Sequence, residues 1–220
     1  MLGVPHPTND PSLVSYHRPE LLRQLPALEM ANHCWCQLDT TFADSTGNLK
    51  SVKEKYLPQE PAEPRPAYES RLTRSTYAPI YRDSIRAYAG LLNRFQLVDA
   101  PQSLVASDQD VDLQGENIQS FWNRCDEKAL RDGGVYVMVD MTQENGEQNF
   151  LDEQNSGRRP YLIMIDRSNV INWSIDYTDG KERVGHATIR QFRQRSVPGS
   201  FGVVLDAVYH VLRPNLVETY

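Results

Sequence analysis

Two clusters in this chain hold residue types that bind ions. His33-Cys34-Trp35-Cys36 puts an imidazole and two thiols within four positions. A structural zinc site needs four such ligands, usually as two spaced pairs, and no second pair accompanies this one. The cluster therefore reads as small residues near a helix end. Asp108, Asp110 and Asp112 alternate as at the start of a calcium loop. The loop glycine and closing glutamate are missing, because position 113 is Leu and position 119 is Gln. This stretch reads as a solvated connector.

Other chemistries lack their parts. No phosphate-binding loop, dinucleotide fingerprint, esterase elbow or zincin motif occurs. His6, His17, His33, His186 and His210 stand in dissimilar contexts, none beside a nucleophile in sequence. Carboxylates are plentiful, yet none is marked by an apolar neighbourhood that would raise its pKa for acid–base work. Asn172-Trp173-Ser174 matches a glycosylation acceptor without a secretory context. No catalytic, cofactor-binding or metal residue is assigned, no cofactor is expected, and an enzyme is not expected.

Composition sets the frame for the elements. The chain has 220 residues and a formal charge of −6, which disfavours a domain built to grip nucleic acid. Cys34, Cys36 and Cys125 make an odd count and read as reduced thiols. No window approaches the ~18 to 20 apolar residues of a membrane span, and the N-terminus lacks the basic and apolar regions of a signal peptide. Cytoplasmic synthesis is the expectation.

Three segments follow along the chain. Residues 1–66 are rich in proline and read as an extended or helical arm and linker, with short helices at 11–17 and from Glu20 toward Trp35, the latter broken near Pro26. A turn is expected at 43–49 and an extended linker at 59–66. Residues 67–134 form a helical part. Tyr77, Tyr81, Ile85, Tyr88, Leu92 and Phe95 recur at helical spacing and read as a core face, with a fresh start near Ala78 because of Pro79. Arg74, Arg82, Arg86 and Arg94 form a second stripe, read as solvated or salt-bridged. A helix over about 117–132 is capped by Asn117 and left through Gly133-Gly134.

Residues 135–220 form a β-rich part. The run 135–141 is apolar at almost every position and should be buried on both faces. A mobile loop is expected at 142–158, and strands at 161–165, 170–176, 182–195 and 203–213. Thr178-Asp179-Gly180-Lys181 carries a hairpin signal. Val203, Leu205, Ala207, Tyr209 and Val211 should share one face. The chain reads as stopping after an incomplete meander. The fold class is α+β, N-terminal helices followed by a mainly antiparallel β region.

The order of motifs resembles the portal, or head–tail connector, proteins of tailed bacteriophages, in their N-terminal wing-like part. It runs from Lys53-Glu54-Lys55-Tyr56-Leu57-Pro58 through the helix over 68–95 and the Asp132-Gly133-Gly134 exit. It continues through Arg159-Pro160-Tyr161-Leu162 and Val170-Ile171-Asn172-Trp173 to Tyr209-His210-Val211-Leu212-Arg213. The resemblance implies a homo-oligomeric, dodecameric ring at the capsid vertex of a virion, assembled in the host cytoplasm. Its partners would be the major capsid protein, neck or adaptor proteins and, during packaging, the terminase. Double-stranded DNA would pass through the channel without sequence recognition, and no membrane is involved. Stem, clip and crown do not follow residue 220, so the chain is either a fragment of a longer portal or a reduced wing-like protein. Another virion neck, adaptor or tail protein is the alternative, and an acidic-site hydrolase a more distant one.

Overall fold

The computed structural model describes residues 9–43, 48–92, 98–99, 108–142, 159–197, 199 and 202–220. The fold is α+β, helices first and then an antiparallel β region. It divides into two compact units, one of residues 27–163 and one of residues 1–26 with 164–220. The division cuts helix α1 (Pro19–Trp35) after Pro26 and strand β4 (Pro160–Asp166) after Ile163.

In the first unit a small hairpin of β1 (Thr41–Ala43) and β2 (Leu49–Ser51) leads into α2 (Val52–Tyr56). The Ser51 hydroxyl caps α2 by accepting the Lys53 N–H. Helix α3 (Arg65–Arg74) takes Pro66 in its first turn, where the missing N–H costs nothing. The expected linker at 59–66 is thus shorter than proposed. Helix α3 already ends at Arg74, before Pro79, and α4 (Ile80–Leu92) starts afresh directly after that proline, as expected. Phe95 and Arg94 lie outside the described residues.

Helix α5 (Ile118–Asp132) follows its sequence signals closely. The Asn117 side chain accepts the Ser120 N–H, and Gly133 exits in the left-handed conformation at φ 72°. Ile118, Phe121 and Cys125 fall at spacings of three and four and are buried, with Ile85 and Ala89 of α4 also in the core. Tyr81 joins the two helices by donating to the Arg131 carbonyl (3.0 Å). Strand β3 (Val135–Met141) pairs with β4.

The burial expected for β3 is corrected. Val139 is 66% exposed, and Tyr136 and Met141 are also exposed. An apolar run lowers the cost of burial but supplies no covering layer. Among the described residues β3 and β4 form only a two-stranded sheet.

The second unit is a meander in the order β5 (Val170–Thr178), β6 (Lys181–Ser196), β7 (Val203–Arg213) and β8 (Leu216–Thr219), every pairing antiparallel. Asp179 and Gly180 take φ 55° and 71° in the two-residue turn, as Asp-Gly predicted. The meander does not stop at β7, because Pro214-Asn215, with Asn215 at φ 62°, returns the chain as β8. On β7, Tyr209 and Val211 are buried whereas Val203 and Leu205 of the same face are exposed.

Two N-terminal expectations are also corrected. Residues 11–15 form turns and a bend and Tyr16 an isolated bridge, not the helix expected over 11–17. The Asp10 carboxylate accepts both the backbone N–H and the hydroxyl of Ser12 (2.9 and 2.7 Å), a local pattern that competes with helix. Helix α1 runs unbroken from Pro19 through Pro26 to Trp35. The expected loop at 142–158 lies outside the described residues beyond Thr142, as do residues 1–8 and 44–47.

Candidate functional site: the acidic loop and the exposed apolar faces

The acidic loop over 108–117 is a brace whose carboxylates are already engaged. Asp110 Oδ1 accepts the Gly115 N–H (2.7 Å), and its Oδ2 pairs with Arg159 Nη2 at 2.5 Å. Asp112 is buried, and its Oδ1 accepts the N–H groups of Gln114 and Glu116 (2.9 and 3.2 Å). Arg124 Nη2 lies 2.5 Å from Glu116 and 3.8 Å from Asp112. The Asp108 carbonyl accepts the Ile118 N–H at the start of α5, and the Val111 carbonyl accepts the Leu162 N–H of β4 (2.9 and 2.7 Å).

Burial, and then the neighbouring Asp112, hold the Glu116 carboxyl above its ordinary range, with Arg124 pulling the other way. A raised acid beside a second carboxylate is an arrangement that can move protons. Here, however, Asp112 Oδ1 takes two backbone N–H donors and Oδ2 faces the Arg124 guanidinium. The loop instead ties β4 to the start of α5. Among the described residues no group of three or more His, Cys, Asp or Glu side chains is placed to hold a metal ion.

The His33–Cys36 cluster is dispersed among separate partners. His33 is buried, with Nδ1 2.9 Å from the Tyr56 hydroxyl and Nε2 3.9 Å from Glu29. Cys34 contacts the Tyr77 hydroxyl, and this hydrogen bond, with burial, pushes the phenol up to about 12. Trp35 is flanked by the guanidinium groups of Arg86 and Arg131, 5.4 and 5.5 Å from its ring. Cys36 is a half-buried free thiol, and the Cys125 thiol is pushed up to about 11 by burial.

The described arginines of the stripe meet protein partners near the surface, with Arg74 and Arg86 exposed and Arg82 half-buried. Arg86 pairs with Glu127 (3.4 Å), Arg82 lies 3.6 Å from Asp83, and Arg74 donates to the Ser70 carbonyl. The tyrosine stripe divides: Ile85 is buried, while Tyr88 and Leu92 are exposed. With Ile80 (72% exposed) and Leu91 (71%), these residues leave an apolar arc on α4. Its spacing was readable, but which side of the helix would be covered was not.

In the second unit, Ser174 of the glycosylation-like triplet sits on β5 with its hydroxyl 2.9 Å from His186 Nδ1. The β5 edge is closed by Arg18, whose backbone N–H donates to the Ile171 carbonyl and whose Nη1 donates to the Trp173 carbonyl (both 2.9 Å). Its guanidinium also covers the Trp173 ring at 4.7 Å. His210 bridges Thr219 and Gln191 across β6–β8. The sheet ends expose Ile175, Tyr177 and Val184 on one side, and Leu216, Val217 and Tyr220 on β8. His6 lies outside the described residues. No protein-family model matches this chain, and no curated protein matches it.

Proposed function

We propose that this chain is a structural subunit of a phage portal ring at the capsid vertex, contributing to the channel complex for DNA packaging and ejection and to the attachment of neck and tail. The observation that carries the reading is the order of motifs from Lys53 to Arg213 described above. The exposed arc on α4, Ile80, Tyr88, Leu91 and Leu92, supports it, because apolar area of this kind is covered in assemblies. A ring uses a heterologous interface that closes, and it needs no chemistry of its own. Under this reading the partners are further copies of the chain, the capsid protein, neck or adaptor proteins, and the terminase.

Electron microscopy of the purified protein tests the proposal. The expected result is a closed ring, dodecameric at a capsid vertex, around a central channel. A monomer, or a ring of another symmetry in the neck or tail, overturns it. The latter result favours an adaptor or tail component, which the same exposed faces would also serve.

A further inference from the structure

Strands β6 and β7 outrun their neighbours. Strand β5 pairs with β6 only over Lys181–Ile189, and β8 pairs with β7 only over His210–Arg213, with Tyr220 bonded to Tyr209 just beyond. From Arg190 opposite Tyr209 to Ser196 opposite Val203, β6 and β7 pair with each other. Among the described residues no further strand pairs with residues 191–196 or 203–208, so the four-stranded meander runs out into a two-stranded ribbon.

The register sorts the ribbon's side chains. Directly opposed residues share a face, so Phe192, Val203, Leu205 and Ala207 lie on one side, and Arg193, Arg195 and Asp206 on the other. Val203 is 59% exposed and Leu205 43%. On the charged side Arg195 takes Asp206 at 2.6 Å, and the exposed Arg193 adds a further cation beside that pair. A two-stranded ribbon is marginal in water by itself, and open edges beside an apolar face are surfaces that another chain covers.

Charge selects the chain that covers it. Along the sequence, residues 27–163 hold 21 acidic and 14 basic side chains, a net −7. The other unit holds 8 acidic and 9 basic, a net +1, and within it residues 190–209 set Arg190, Arg193 and Arg195 against Asp206, a net +2. Two ribbons therefore repel each other, whereas a ribbon and the acidic unit attract. That unit also offers an apolar surface of its own, the arc of Ile80, Tyr88 and Leu91 on α4, with the exposed Asp83 three residues along from Ile80.

We infer that the β6–β7 ribbon of one copy docks on the α4 arc of a second copy, Val203 and Leu205 covering the arc and the arginines lying in the negative field of that unit. The contact is heterologous: each copy gives a ribbon and receives one, and a closed ring leaves none uncovered. The inference rests on the ring reading for self-assembly and names the contact that would carry it.

The test combines photo-crosslinking with mass photometry of the full chain. A benzoylphenylalanine crosslinker is placed at Val203, and isotope-labelled and unlabelled copies are mixed so that mass spectrometry separates links between copies from links within one. Links from position 203 to residues 80–92 of another copy are expected. Links from ribbon to ribbon, or within one chain only, overturn the inference. Leu205→Lys should keep the thermal midpoint within about 2 to 4 °C and raise the half-assembly concentration about tenfold. Arg193→Glu should weaken assembly at about 0.05 M salt and lose that effect at about 1 M, where charges are screened within about 3 Å. Assembly unchanged in both variants overturns the docking. A linked assembly that is not a dodecamer supports the docking and overturns the vertex ring, whereas a dodecamer without these links does the reverse. A monomer at every concentration overturns both.

Discussion

His17 is buried as a neutral ring, donating from Nδ1 to Ser15 and accepting from Arg190, and that makes its site sensitive to acid. Burial lowers its pKa from 6.5, the Ser15 bond raises it, and Arg190 lowers it further, the net shift being downward. His186 and His210 are also lowered, chiefly by burial. The unfolded chain therefore binds more protons than the folded one. Stability is full above 6.5 and is lost as the pH falls from there through the lower folded values. In urea unfolding followed on Trp173, the midpoint should drop between about pH 7.5 and about pH 5, and His17→Gln should flatten part of that slope. An unchanged slope in the variant would remove His17 from the account. Gly185 is a second single-residue constraint. A Cβ there would meet the Asp176 carboxylate, all three of whose outer atoms are too close. Gly185→Ala should cost about 1 kcal/mol, and less in an Asp176→Ala background, because the two positions share one space. Equal costs in both backgrounds would mean that backbone freedom, not the carboxylate, requires the glycine.

Among the elements, α5 separates a local contribution from a tertiary one. Its Asn117 cap satisfies one N–H at the helix start, whereas Phe121, at 0% exposure, fills the interior beside α4. Asn117→Ala should cost about 1 kcal/mol, and Phe121→Ala about 3 to 5 kcal/mol through lost transfer energy and a cavity. Chemical unfolding monitored by Trp122 fluorescence would rank the two. A reversed order would mean that the core around Phe121 collapses on truncation. The start of α5, its exit at Gly133 and the Asp179-Gly180 hairpin were all legible in the sequence, because each is decided by residues in direct hydrogen-bonding reach. Pro214-Asn215, with Asn215 in the left-handed region, is a turn signal of the same local kind and returns the chain as β8. The turns over 11–15 were not legible because proline after aspartate starts a helix or a turn equally well, and the Ser12 bonds to Asp10 select the turn.

At the scale of the whole molecule, the chain is acidic, divides into two compact units and keeps large apolar side chains in solvent in both. Ile80 and Leu91 lie on the exposed arc of α4, so charging them removes little that holds the fold. Ile80→Asp and Leu91→Asp should each leave the thermal midpoint within about 2 to 4 °C of the parent while reducing the assembled fraction in mass photometry and electron microscopy. Loss of midpoint with assembly intact would place the arc in the folding core instead. What the sequence determined by itself is the elements whose caps and turns are set locally, such as both ends of α5 and the Asp179-Gly180 hairpin, because these depend on neighbours within about four positions. What only the tertiary structure decided is which faces are covered and which distant groups meet. Tyr136, Val139 and Met141 of β3 are exposed because among the described residues only β4 pairs with that strand and no layer covers these side chains, and the helical stripe on α4 is half core and half surface. His17 and Arg190, 173 positions apart, become partners only because the turn before α1 is held near the meander by Arg18. Covering and meeting are properties of pairs of elements, and no local pattern carries them.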